Sequence, residues 1–554
     1  LFGIVDTHSH LMSNFGFGGN GIFHGTPFHR LGVEHALSDC TQFHGREGRA
    51  DLFGFGFDQG DDVDPDVFLA GLITGRTMEP NHETAGYPDF TAWPDARDAA
   101  THQQQYYRWL ERAWRGGLRL VIQHATTNHV ICELMVGQDI QDTRYSCNDM
   151  VAVDREFEET FALERYIDAQ SGGPGRGWFR VVRSPAEARE VIAEGKMAVV
   201  LGIETSNLFD CFLVPREGFP TCDEAYVEAQ LDRYYDLGVR VIFPVHKYDN
   251  AFSAGDGDRV IIELGNFINT GHWSNFTDDC PTDVPTVFDR GNVNFGGINM
   301  PRADFFAPPP NDMTGFIDDP IATLGPFLDN FLEGSLEGDY CQAAGLTPLG
   351  EHLMTQMMRR GMVIEIDHFS RRAYQRAFEL LEENDYPAAG THGTNNNGRL
   401  YALGGVSKTG LGRCAEADDP SAMIRGIQRD VDLITAAGGY PAQGFGFDLN
   451  GFAGAAGPRF GPDANCGEPQ ENPVTYPFTS YAGDVTFTEP RVGNRVIDFN
   501  TEGMVHIGVM PELIEDARRG GVSDEELEMV FRSAEAYIRM WERSEERGSA
   551  LSGG

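Results

Sequence analysis

His8 and His10 stand two residues apart, just beyond the short apolar run Phe2–Val5. On an extended strand, side chains two apart share a face, so both imidazoles can present neutral nitrogens to one divalent metal ion. Glu204 follows directly on the apolar run Met197–Ile203, a costly place for a charge that has neither an ionic partner nor a metal. Its two oxygens could bridge two cations. His246, His368 and His392 close three further apolar runs, and Asp448 closes another in Gly446-Phe447-Asp448. A carboxylate at that position can take a proton from an activated water and return it to a leaving group. Each residue alone has an ordinary reading: a histidine bonded to a backbone carbonyl, a glutamate paired with arginine, an aspartate capping a turn. Their common position at the ends of apolar runs is what points to chemistry.

Eight such runs can be read along the chain: Phe2–Val5, Leu118–Ile122, Met197–Ile203, Val239–Val245, Met362–Ile366, Pro387–Gly390, Leu403–Val406 and Gly444–Phe447. Helical patterns precede several of them, at Pro185–Glu194, Glu224–Leu237, His352–Arg360 and Arg371–Glu383. Eight strands interleaved with helices predict an α/β fold, the (β/α)8 barrel, in which chemistry sits at the carboxyl ends of the strands. An open doubly wound sheet is disfavoured because no glycine-rich dinucleotide fingerprint follows the first run. Residues 1–546 are expected to form one domain, with insertions at about 11–114 and 247–350 over the barrel mouth. The second insertion carries the proline run Ala307–Pro310, suited to a lid or a subunit contact, so a homo-oligomer is among the expected assemblies. Ser523 with Glu526 reads as a capping box that opens a closing helix to Glu546, and 547–554 as a flexible tail.

Composition removes other classes of function. Across 554 residues, 43 Lys+Arg against 84 Asp+Glu leave a net charge of −41, which repels nucleic acid and anionic lipid head groups. No apolar run has the length of a membrane-spanning helix. Of the nine cysteines, Cys132/Cys147 and Cys211/Cys222 bracket short loops, Cys280, Cys341, Cys414 and Cys466 lie in loop-like sequence, and the odd count leaves one over, with Cys40 the candidate. This usage points to an oxidising compartment, extracellular or periplasmic, with any export signal already removed ahead of Leu1.

The ordered motifs His8-Ser9-His10, Gly202-Ile203-Glu204, Arg240 to His246, Gly361-Met362-Val363-Ile364-Glu365-Ile366-Asp367-His368-Phe369-Ser370, Thr391-His392 and Gly446-Phe447-Asp448 resemble those of the renal (membrane) dipeptidase family, within the metal-dependent amidohydrolase superfamily. The resemblance covers most barrel strands and neither insertion. It implies two divalent ions, zinc by preference. His8, His10 and Glu204 would hold one, Glu204, His368 and His392 the other, and Asp448 would complete the metal centre. It further implies a metal-bridging hydroxide as nucleophile, His246 polarising the substrate carbonyl, Arg399 gripping a substrate carboxylate and Asp448 shuttling the proton. The substrate would be a small peptide-like molecule cleaved at an amide bond. His10 stands where the family usually has aspartate, and Asn450 where a second acid is common. Two other readings stay open: hydrolysis of a lactone, ester or phosphoester at the same site, and a non-catalytic metal-bearing binding module. His124, His129 and the insertion histidines His24, His29, His35 and His44 read as surface or capping residues with a secondary option of touching substrate.

Overall fold

A computed structural model describes residues 1–553 apart from 59–66, 68–69, 72–73, 138–144, 257–260, 272–273, 287, 294–335 and 395. Its centre is a ring of parallel strands. We number the named ones β1 (Ile4–Ser9), β2 (Leu118–Thr127), β3 (Met197–Thr205), β4 (Val239–Ile242), β5 (Val363–Ile364), β6 (Ala389–Gly390) and β7 (Val406–Ser407). Pairing runs β1–β2–β3–β4–β5 in one sheet. Parallel bridges then carry it round: Glu365 to Ala389, Val406 to Ala389, and Lys408 to Gly444. The last segment, 444–449, returns to β1 through Asp6–Phe445 and Ser9–Leu449. Eight parallel segments therefore close on themselves, as the spacing of the apolar runs predicts.

The strands are buried on both faces, which is why they read as continuous apolar runs and not as alternating ones. All nine residues of β3 are buried. Inside, Val5, Leu120, Ile122, Ala198, Val200, Val241, Val363 and Ala389 pack with Tyr537, Ile538 and Trp541 of the last helix. The outer helices bury one stripe each. Helix Glu224–Leu237 places Val227, Leu231 and Tyr234 inward, and Arg371–Glu383 places Tyr374, Ala377, Phe378 and Leu381 inward.

The predicted helices are present at Pro185–Ala193, Glu224–Leu237, Pro348–Arg359 and Arg371–Glu383. The chain's end differs from expectation in two respects. The capping box of Ser523 and Glu526 forms, but that helix stops at Phe531, and a second one runs Ser533–Ser552. Residues 547–552 thus continue a helix where a flexible tail was expected. Gly548 is buried there, and a Cβ on it would sit 2.6 Å from the Met358 carbonyl oxygen, so close packing on the Pro348–Arg359 helix orders the end.

Four disulfides form: Cys132–Cys147, Cys211–Cys222, Cys280–Cys341 and Cys414–Cys466. Cys40 is the one cysteine outside them, and it is buried. Among the described residues no helix is long and apolar enough to cross a membrane. The Ala307–Pro310 run lies outside the described residues.

Candidate active site and metal centre

β1 extends through His8 to Ser9, so His8 is held by the sheet and His10 stands one residue past its end. Their Nε2 atoms lie 3.1 Å apart. Each ring is fixed from behind. His10 Nδ1 lies 3.0 Å from the His124 carbonyl, and His8 Nδ1 lies 3.3 Å from Thr391 Oγ1. Glu204, next to last in β3, sends its two oxygens in different directions. Oε2 lies 3.0 Å from His8 Nε2 and 3.2 Å from His10 Nε2, while Oε1 lies 3.4 Å from His246 Nε2 and 3.3 Å from His368 Nε2. Asp448 completes the ring. Its Oδ1 is 3.0 Å from His10 Nε2, and its Oδ2 is 3.2 Å from His392 Nε2.

Thus six residues named from sequence as metal ligands, together with His246, converge at the carboxyl rim of one barrel. The grouping departs from expectation in one detail. His246 joins Glu204 and His368 within ligand distance, whereas His392 pairs with Asp448 and stacks edgewise on His368, ring centroids 4.4 Å apart. The cause is the carboxylates: Glu204 Oε1 faces His246 and His368, and Asp448 Oδ2 faces His392.

Three rim residues adopt strained backbone conformations. His368 (φ 65°), Asp448 (φ 54°) and Asn450 (φ 66°) are non-glycine residues in the left-handed region, a cost of order 1–3 kcal/mol each that surrounding structure must offset. Close approach also dictates a glycine. A Cβ on Gly451 would sit 2.0 Å from Asp448 Oδ1 and 2.7 Å from the His10 ring.

Electrostatically the site is a nest of carboxylates held charged by imidazoles. Burial works to raise Glu204, but His8, His246, His10 and His368 overcome it and hold the carboxyl well below its ordinary range. Asp448 follows the same pattern, with burial opposed by His8, His10 and His392. His246 is driven well below an ordinary histidine by burial, against the pull of Glu204. Two buried ring nitrogens nonetheless lack a hydrogen-bond partner, His246 Nδ1 and His392 Nδ1. The imidazole nitrogens and carboxylate oxygens that crowd together around Glu204 fit one or more divalent ions with neutral imidazole and carboxylate ligands.

Arg399 is placed elsewhere. Its guanidinium makes a two-point pair with Glu382 at 2.8 and 3.0 Å and lies over the Phe378 ring, both on the outer helix Arg371–Glu383. The physical reason is that Arg399 lies in the first turn of the short helix Gly398–Ala402, capped by Asn397, which directs it toward that neighbour.

Three residues that shape the site were given no part in the metal centre by the sequence reading. Asp256 accepts from His368 Nδ1 at 2.8 Å and orients that ring. Asp367 Oδ2 accepts from the backbone N–H groups of His392 and Gly393 at 2.7 and 3.0 Å and shapes the loop that carries His392. His124 lies within β2, which runs on to Thr127, and its ring packs 4.8 Å from that of His8. Asp367 and His124 each carried a signal, standing just after an apolar run. Asp256 lies in an insertion with no readable period.

The fold and this rim define a closed barrel with a buried histidine–carboxylate centre able to take metal. No family profile and no curated protein matches the chain. Among solved structures it is similar to an amidohydrolase from Pseudomonas aeruginosa, at 12% identity, covering 79% of this chain and 93% of that one, with a TM-score of 0.37. It is also similar to a metallo peptidase from Rhodobacter sphaeroides liganded with a phosphinate mimic of the dipeptide L-Ala-D-Ala, at 12% identity, covering 78% and 89%, TM-score 0.38. The fold itself rests on the strand pairing of this chain.

Proposed function

We propose that this protein is a metal-dependent hydrolase that cleaves an amide bond in a small peptide-like substrate. One observation carries the reading: Glu204 turns its two oxygens toward two separate histidine sets at the carboxyl rim of a closed barrel. That is the arrangement a bridging carboxylate needs. His8, His10 and Glu204 would hold one ion, and Glu204, His368 and either His246 or His392 the other, with zinc the ion that suits these ligands. When bound, such ions supply Lewis-acid polarisation of a carbonyl and make water acidic enough to attack near neutral pH.

The chain's own residues would do the rest. Asp448 Oδ2 faces His392, so the carboxylate can accept the proton of the attacking water and deliver it to the departing nitrogen as the C–N bond breaks. Of the histidines around Glu204, His246 is the more exposed, with 18% of its side chain reachable against none for His368. It is therefore placed to donate to a substrate carbonyl oxygen while His368 is held by Asp256. The disulfides favour an oxidising compartment for this chemistry.

The test is hydrolysis of a dipeptide panel set beside a lactone, an ester and a phosphoester, with metal content measured in parallel. We expect dipeptide cleavage that a chelator abolishes. Glu204→Ala should lose both rim ions and all turnover. Full activity in Glu204→Ala would remove the bridging role, and a preference for the phosphoester would overturn the bond assignment.

A further inference from the structure

Outside the rim, the first insertion gathers a second set of ligand types. Cys40, His44, His82 and His102 are all buried, and one donor atom from each lies within 4.8 Å of the others. Cys40 precedes the short helix Thr41–His44, so the thiol and the His44 ring come from positions four apart, one helical turn. His44 Nδ1 lies 3.3 Å from His82 Nε2, and the His102 ring centroid is 4.6 Å from that of His82 and 4.8 Å from that of His44. Three imidazoles and a thiol meet here beneath the surface.

Two of the three rings are tied from behind, as metal ligands require. His82 Nδ1 lies 3.1 Å from the Glu83 carbonyl and His102 Nδ1 lies 3.3 Å from the Ala99 carbonyl, which leaves each Nε2 facing inward. His102 Nε2 is buried with no hydrogen-bond partner. Backbone approach is tight as well: a Cβ on Gly48, at φ +67°, would sit 2.6 Å from the His82 ring. Asp51 stands beside the cluster, Oδ2 3.3 Å from His82 Nε2 and 3.5 Å from His44 Nδ1.

We propose that Cys40, His44, His82 and His102 form a structural zinc site, separate from the catalytic rim, that pins the first insertion to the barrel mouth. Four ligands of the Cys/His₃ type suit tetrahedral zinc at about 2.0–2.3 Å, which places ligand atoms roughly 3.3–3.8 Å from one another, a small contraction of the spacing seen. A site closed on all sides holds its ion for folding and leaves no position for substrate. What it supports is the rim. The three glutamines after His102 reach it directly: Gln105 accepts from Ser9 Oγ at 2.8 Å and donates to the Leu449 carbonyl at 3.0 Å, and the Gln104 N–H donates to Asn450 Oδ1 at 2.9 Å. Asn450 in turn donates to the His10 carbonyl at 3.0 Å and to Gln103 Oε1 at 2.8 Å.

Cobalt distinguishes this site from the rim. All other cysteines are in disulfides, so Cys40 is the sole source of a thiolate-to-cobalt charge-transfer band. Full-length protein produced in cobalt-supplemented medium should show that band, and Cys40→Ser should lose it together with one metal equivalent. Glu204→Ala should keep the band, whether or not the rim reading is right. Absence of the band from metal-loaded wild-type protein, or a folded Cys40→Ser with unchanged metal content, would overturn the proposal. Should Cys40→Ser fail to fold, the wild-type spectrum decides alone.

Discussion

The rim and the insertion cluster both bring histidines together, and they do so by opposite means. Rim ligands are scattered from His8 to Asp448 and meet because parallel strands end at one level. Two carboxylates sit among them, and part of the centre is open, with 26% of the His392 side chain exposed. Insertion ligands fall between Cys40 and His102, include a thiol in place of a carboxylate, and are buried throughout. An open, carboxylate-bearing centre keeps room for substrate and offers a base; a closed one with sulfur can only hold its ion. Burial and donor type, more than the number of histidines, separate chemistry from support.

The sharpest way to break that contrast is at Asp448, the rim carboxylate proposed as the base. Asp448→Asn keeps the shape and removes the basic oxygen. We expect turnover to fall about 10²–10⁴-fold, the range for a lost general acid–base group. Metal content should stay near wild type, because His8, His10 and Glu204 remain. Turnover within threefold of wild type would strip Asp448 of its role and leave the rim as closed in function as the insertion.

A matched pair of smaller changes sharpens the comparison further. Each cluster has an aspartate against a histidine: Asp256 at 2.8 Å from His368, Asp51 at 3.3 Å from His82. Removing such an orienting partner typically costs about 10- to 100-fold in metal affinity or activity. Asp256→Asn should therefore lower kcat and rim metal affinity while leaving thermal stability nearly unchanged. Asp51→Asn should lower thermal stability and leave kcat almost intact, since Asp51 also accepts from Thr101 Oγ1 at 2.5 Å and from the Gly54 N–H at 2.8 Å. Measuring both variants by calorimetry and by turnover sets the two readouts against each other. Identical profiles would erase the distinction between the clusters.

The two regions were also unequally legible in the sequence. Rim positions stand out because a barrel imposes a rhythm: an apolar run, then a polar side chain at its end. His8, Glu204, His246, His368, His392 and Asp448 all follow it. Within a loop-rich insertion there is no such period, and Cys40 reads as a leftover thiol and His44 as a surface or capping group. The ring of His124 was misread for a related reason. β2 is longer than its apolar core, continuing through Gln123 and His124 to Thr127, because polar side chains there are paid for by neighbours that only the closed barrel supplies. Asp256 was invisible because its partner, His368, lies 112 residues away.

Arg399 gives the smallest expected effect and the cleanest check on how far resemblance can carry a residue. The family resemblance suggested a carboxylate clamp, yet its guanidinium is already paired with Glu382 on an outer helix. Exposed pairs of this kind contribute about 0–1 kcal/mol. Arg399→Ala should accordingly leave KM for a dipeptide within about twofold and shift the unfolding midpoint by only a few degrees at most. A tenfold rise in KM confined to substrates with a free carboxylate would mean that the Glu382 pair opens on binding. The rim would then draw a residue from outside its ring of strand ends, which the insertion cluster, complete within itself, has no need to do.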